Sequence, residues 1–130
     1  MSRAFHTTLL DRCLRQKHRE QERLRQEALE RLLKVLPSLS KKYGIQRAYI
    51  FGSILKNGRF HARSDIDVAV EGLSNADYFR FWAELSDRLG RDVDVVQVEK
   101  HRLGERVLKG ALEWTRENPT NPSPGPSFPP

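Results

Sequence analysis

Three short stretches of this sequence carry residue types that do chemistry together: Gly52-Ser53, Asp65-Ile66-Asp67, and the lone acid in Val93-Asp94-Val95-Val96. Side chains two apart on a β-strand project to the same face, so Asp65 and Asp67 are neighbours if their segment is extended, with Ile66 turned to the opposite side. Adjacent carboxylates repel and raise one another's proton affinity unless a positive charge lies between them. A divalent cation with oxygen ligands resolves that repulsion, and Mg²⁺ is commonly held by one or two carboxylates together with substrate phosphates. An ordinary half-buried strand with solvated acids is the competing reading of Asp-x-Asp taken alone. Asp94 shifts the balance, because it interrupts a valine run where an unpaired charge is costly. Asp92 shares the face of Asp94 and is its rival, although it lies closer to the Gly90 turn. Gly52-Ser53 follows an apolar run; a glycine there admits close approach of a ligand, and a following helical turn offers free amide groups to phosphate. By itself Gly-Ser also marks any turn.

These residues need elements to hold them. Residues 46–51 read as a short strand that ends at Gly52-Ser53, and 54–63 as a turn-rich connector containing Asn57-Gly58. Residues 65–71 read as a second strand, with Ile66, Val68 and Val70 on one face and Asp65, Asp67, Ala69 and Glu71 on the other. Ser74 and Asp77 resemble a capping box that opens a helix to Leu89, stopped at Gly90. Residues 93–98 form a valine-rich third strand, and 103–116 carry the pattern of a last helix. Upstream, residues 9–36 contain neither Gly nor Pro and are rich in helix formers. Residues 15–23 are polar throughout, whereas Leu24, Ala28, Leu29, Leu32, Leu33, Val35 and Leu36 form a helical stripe. A packed helix is therefore expected from about Leu24, with the earlier turns projecting or docked on another chain. Pro37 is expected to interrupt it, and Gly44 to end a resumed turn. Phe79, Phe81, Trp82 and Trp114 are read as core residues in preference to a base-stacking platform.

The chain of 130 residues has room for one domain with appendages. Its organisation reads as a basic helical arm over 1–23, a domain over 24–116, and a proline-rich disordered tail over 117–130. A single cysteine, Cys13, excludes an internal disulfide framework and a cysteine-rich zinc site. Of the histidines, His6, His18, His61 and His101, none forms a ligand pair at helical or strand spacing. No apolar run is long enough for a membrane span, and a cytoplasmic protein is expected. The formal charge of +6 suggests nucleic acid, yet residues 1–42 hold eleven Lys or Arg against five Asp or Glu, and 43–130 hold twelve of each. The excess thus belongs to the amino-terminal third. It suits an acidic partner or a nucleic acid, or simply a solvated helix face.

Phe51-Gly52-Ser53, eleven further residues, Ser64-Asp65-Ile66-Asp67-Val68 and then Val93-Asp94-Val95-Val96 resemble the DNA polymerase β-type nucleotidyltransferase superfamily, and within it the minimal nucleotidyltransferase (MNT) group. The separation between Gly-Ser and Asp-x-Asp exceeds the group's common one by a single residue. The resemblance covers about residues 24–116 and implies an α/β (α+β) fold: a polymerase β-like core with a small mixed sheet of at least three strands and helices on one side. It implies that Gly52 and Ser53 hold the triphosphate of an incoming nucleotide, that Asp65 and Asp67 bind two Mg²⁺ ions, and that Asp94 shares the catalytic metal and helps activate the attacking hydroxyl. Lys56, Arg59 and Arg63 lie in the connector, as phosphate contacts or as ordinary surface cations. Minimal members resemble antitoxins that transfer AMP from ATP to a tyrosine hydroxyl of a HEPN-type ribonuclease toxin, which makes such a toxin the expected partner and ATP the expected substrate. Two other readings stand beside this one: a non-catalytic antitoxin acting by docking alone, and a nucleotidyltransferase acting on a small molecule or a nucleic-acid end.

Overall fold

The computed structural model describes residues 2–56, 58–100 and 108–125, with side chains from Thr8 onward. A long helix α1 (Ser2–Tyr43) leads into strand β1 (Arg47–Phe51) and a 3-10 turn (Gly52–Leu55). Then follow β2 (Ile66–Glu71), α2 (Tyr78–Leu89), β3 (Val93–Gln97), β4 (Leu112–Thr115) and β5 (Asn118–Pro124). The strands form one mixed sheet in the order β3-β2-β1-β4-β5. β1 lies antiparallel to both β2 and β4, whereas β2 and β3 are parallel and joined by the α2 crossover.

Alternation along the strands sorts the two faces. Ala48, Ile50, Ile66, Val68, Val70, Val93 and Val95 bury against Leu32, Leu36 and Leu39 of α1 and Phe81, Leu85 and Leu89 of α2. Both helices therefore cover one face, as the sequence implies. The opposite face carries a smaller cluster, Tyr49, Ala69 and Ala111. It leaves the Asp67 end of the sheet open.

Helix α1 runs through Pro37 without a break, contrary to the expected interruption. Proline removes one helical hydrogen bond and clashes with the preceding turn, about 3 kcal/mol in an isolated helix. Here Leu32 and Leu36 before it and Leu39 and Tyr43 after it are all buried in the same core. At ~2 kcal/mol per buried apolar side chain, that packing prevails. Residues 8–20 are exposed all round, and partial burial becomes regular from Leu24. The end of α1 is fixed by Arg116, whose Nε donates to Ser40 Oγ at 3.0 Å and to the Ile45 carbonyl at 3.1 Å, and whose Nη2 donates to the Ser40 carbonyl at 2.8 Å. Ser74 and Asp77 do pair at the start of α2, Ser74 Oγ donating to Asp77 Oδ2 at 3.2 Å, and the left-handed Gly90 closes the helix.

Two further expectations fail at the carboxy-terminal end. Leu112–Thr115 is a strand, not the end of a helix, with Leu112 opposite Ile50 and Trp114 opposite Ala48. Residues 101–107 of the expected helix lie outside the described residues. The stretch Asn118–Pro124, expected as disordered tail, pairs with β4 as an edge strand. Prolines are tolerated there because an edge has one row of backbone groups that need no partner. Trp114 Nε1 donates to the Pro119 carbonyl at 3.1 Å and holds the turn. Among the described residues no helix is long and apolar enough to cross a membrane.

Candidate active site

The register of the sheet assembles the site. Asp67 of β2 stands opposite Phe51 of β1 on one side and opposite Asp94 of β3 on the other. Both acids alternate with core residues, Val68 and Ile66 around Asp67 and Val93 and Val95 around Asp94, and so emerge on the open face. Asp65 lies two residues before Asp67 on that face, just outside the strand, and its side chain is exposed. Geometry separates Asp94 from Asp92: Asp94 stands opposite Asp67, whereas Asp92 precedes the strand and contributes its backbone carbonyl to the Ile66 amide at 3.1 Å.

The electrostatics follow from the crowding. The Asp67 carboxyl is held above the usual carboxylate range, first by partial burial, then by the charge of Asp94 and a hydrogen-bonding contact with it, and last by the charge of Asp65. Gly52 completes the arrangement. Its φ is +85°, and a Cβ at this position would run into Asp67 Oδ2, so only glycine lets the turn after β1 lie against the carboxylate. Ser53 follows within the 3-10 turn Gly52–Leu55, whose first backbone amides have no partner inside the turn itself. Lys56, Arg59 and Arg63 are exposed along the connector.

A divalent cation fits this donor set. Oxygen ligands of like charge are pressed together, and the strain on Asp67 is of the kind a cation relieves. Among the described residues no three His, Cys, Asp or Glu side chains stand gathered as a closed metal cage. Mg²⁺ needs none, because water and substrate phosphates fill its remaining positions. His18 lies beside Gly58 of the connector, His61 Nδ1 accepts the Arg63 amide at 3.2 Å, and His101 lies outside the described residues, as does the His6 side chain.

Three supporting side chains escape a reading of motifs. Arg91 Nη1 donates to the carbonyls of Ser64 at 2.8 Å and His61 at 3.2 Å, and its guanidinium lies 4.5 Å from the Phe60 ring centroid, which fixes the connector just before Asp65. Tyr78 Oη donates to the Val95 carbonyl at 2.6 Å and Trp82 Nε1 to the Val93 carbonyl at 2.5 Å, one on each side of Asp94. Spacing of i and i+4 on a helix that precedes an edge strand is the signal that identifies the second pair. Phe81 and Trp114 are fully buried as expected. Phe79 and Trp82 are not: they are 70% and 38% exposed.

The fold and the acid-bearing strands are those of a nucleotidyltransferase. The Polymerase beta, Nucleotidyltransferase family matches residues 34–112, more than half of the chain and all three motifs, and the protein belongs to this family. Among solved structures, one described as a minimal nucleotidyltransferase is similar at 28% identity, covering 62% of this chain and 82% of that one with a TM-score of 0.51. A chain of a toxin–antitoxin complex with AMP-PNP shares 30% identity over 53% of this chain and 59% of that one, with a TM-score of 0.47. A complex of tri-AMPylated HEPN toxin and MNT antitoxin from Shewanella oneidensis shares 28% over 59% of this chain and 58% of that one, with a TM-score of 0.43. The chain thus spans under two thirds of the toxin–antitoxin chains it matches. No curated protein sequence matches.

Proposed function

We propose that this protein is a Mg²⁺-dependent adenylyltransferase that moves AMP from ATP to a tyrosine hydroxyl of a HEPN-type ribonuclease toxin and neutralises it, in the cytoplasm. The observation that carries the transferase part is the meeting of Asp67 with Asp94 on one side and with Gly52 on the other, which brings the Gly52-Ser53 turn and the paired acids to one point. The acceptor is taken from the motif resemblance to MNT antitoxins.

In this reading Gly52 and Ser53 bind the triphosphate through backbone amides and the Ser53 hydroxyl. Asp65 and Asp67 hold the cations with the nucleotide, and Asp94 turns toward the acceptor. When bound, Mg²⁺ neutralises the phosphate charge and stabilises the entering and leaving oxygens of an in-line displacement. The tyrosine oxygen bonds to the α-phosphorus, the bond to the bridging oxygen breaks, pyrophosphate leaves, and Asp94 takes the phenolic proton.

Incubation with α-labelled ATP, Mg²⁺ and the HEPN-type product of a neighbouring gene is expected to label that protein on tyrosine and to lower its RNase activity. Asp65→Asn with Asp67→Asn is expected to abolish both effects. Neutralisation that survives this double change would make docking the mechanism instead.

A further inference from the structure

The three acids of the site are held unequally. Asp67 and Asp94 lie inside paired strands, opposite one another across β2 and β3. Asp65 lies one residue before β2 with its side chain exposed, and among the described residues no hydrogen bond reaches its carboxylate. Where that carboxylate stands is therefore decided by the two peptide groups on either side of its Cα. Each is planar, so whatever holds the Ser64 carbonyl and the Ile66 amide sets the backbone of Asp65.

Both are held by one dipeptide, Arg91-Asp92, between the Gly90 stop of α2 and the start of β3. The Asp92 carbonyl accepts the Ile66 amide at 3.1 Å. On the other side, Arg91 Nη1 donates to the Ser64 carbonyl at 2.8 Å and to the His61 carbonyl at 3.2 Å. Residues 61–64 are closed into a turn of their own. The Ser64 amide donates to the His61 carbonyl at 3.0 Å, and the His61 amide to Ser64 Oγ at 2.9 Å. Arg91 thus moors a preformed turn. Its guanidinium is set in turn by Phe60, a core side chain 1% exposed, whose ring centroid lies 4.5 Å away. A planar guanidinium can stack on that ring while serving both carbonyls, whereas a lysine ammonium is a point charge on a flexible stem. We propose that Arg91 is the positioning residue for Asp65, and that through Asp65 it sets the affinity of the site for a divalent cation. The inference rests on the transferase reading in one respect, that Asp65 is a metal ligand.

Mn²⁺ titrated into the full chain, without nucleotide or partner and followed by the electron-spin signal of free Mn²⁺, reads that affinity. Arg91→Ala is expected to weaken binding about tenfold, the scale usual for a residue that orients a metal ligand. Arg91→Lys is expected to recover little of the loss, and carries the comparison should the alanine variant fold poorly. In an Asp65→Asn background, Arg91→Ala is expected to change the affinity by less than about twofold, because a residue acting through Asp65 then has nothing further to act on. In the transfer assay, the Mg²⁺ concentration at half-maximal rate is expected to rise about tenfold in Arg91→Ala, with the rate largely restored at saturating Mg²⁺. Wild-type affinity in both folded variants, full recovery in Arg91→Lys, or an equal loss in the Asp65→Asn background would overturn the proposal and leave the transferase reading standing. Mn²⁺ binding that is indifferent to Asp65→Asn would remove the metal role of Asp65, and the proposal with it.

Discussion

Asp67 is the residue on which the site turns, and its raised proton affinity gives a signed prediction. A carboxyl that binds its proton more tightly in the folded chain makes the folded state bind more protons than the unfolded one. Stability from this group is therefore present at low pH and lost as pH rises from the ordinary Asp value of about 4 through its raised folded value. Asp67→Asn removes the penalty. Metal-free Asp67→Asn is expected to melt a few degrees above wild type at neutral pH, with the gap closing below about pH 4, as calorimetry across that range checks. The lowered carboxyls, such as Glu20, Glu22 and Glu84, tilt both proteins alike and cancel in the difference. Mg²⁺ should raise the melting point of wild type but not of the variant, while EDTA should stop transfer in wild type. Gly52→Ala belongs to the same scale. The new methyl meets Asp67 Oδ2 at a backbone φ of +85°, so nucleotide binding by calorimetric titration is expected to weaken at least tenfold.

At the scale of elements, what was legible in the sequence depended on whether the signal was local. The strands bearing Asp67 and Asp94 could be read because valine and isoleucine alternate with acids over five or six residues, and the crossover between them is long enough for a helix. Leu112–Thr115 could not, since Leu112 and Trp114 fit a period of 2 and also a helical stripe, and only pairing with Ile50 and Ala48 decides the matter. The same holds for β5, where proline content hides an edge position that only a neighbouring β4 makes available. Local rules failed once more at Pro37, whose neighbours on both sides are buried. Pro37→Ala is accordingly expected to stabilise the chain by about 1 kcal/mol, read from a denaturant midpoint, because a helical hydrogen bond is restored without loss of packing. Arg116→Ala acts in the other direction. It strips three hydrogen bonds from the end of α1, although the Ser40 carbonyl keeps the Gly44 and Ile45 amides and the Ile45 carbonyl keeps the Ser40 hydroxyl, so a loss of about 1–2 kcal/mol is expected.

On the scale of the whole molecule the charge divides from the chemistry. The acids of the site stand in a stretch of zero formal charge, while the +6 of the chain lies with α1. That helix spans about 63 Å, and its residues 8–20 are exposed throughout, Leu9, Leu10 and Leu14 included. Contact with the body begins near His18, beside Gly58, and tightens at Arg25, whose Nη1 donates to the Ile54 carbonyl at 3.1 Å. The first turns thus contribute charge and apolar surface without contributing to the core. Deleting residues 1–17 lowers the formal charge from +6 to +3, and should leave the melting temperature within a few degrees of the full chain. Retention on a heparin column should fall markedly, since the interaction of a polyanion with this protein scales with those cations.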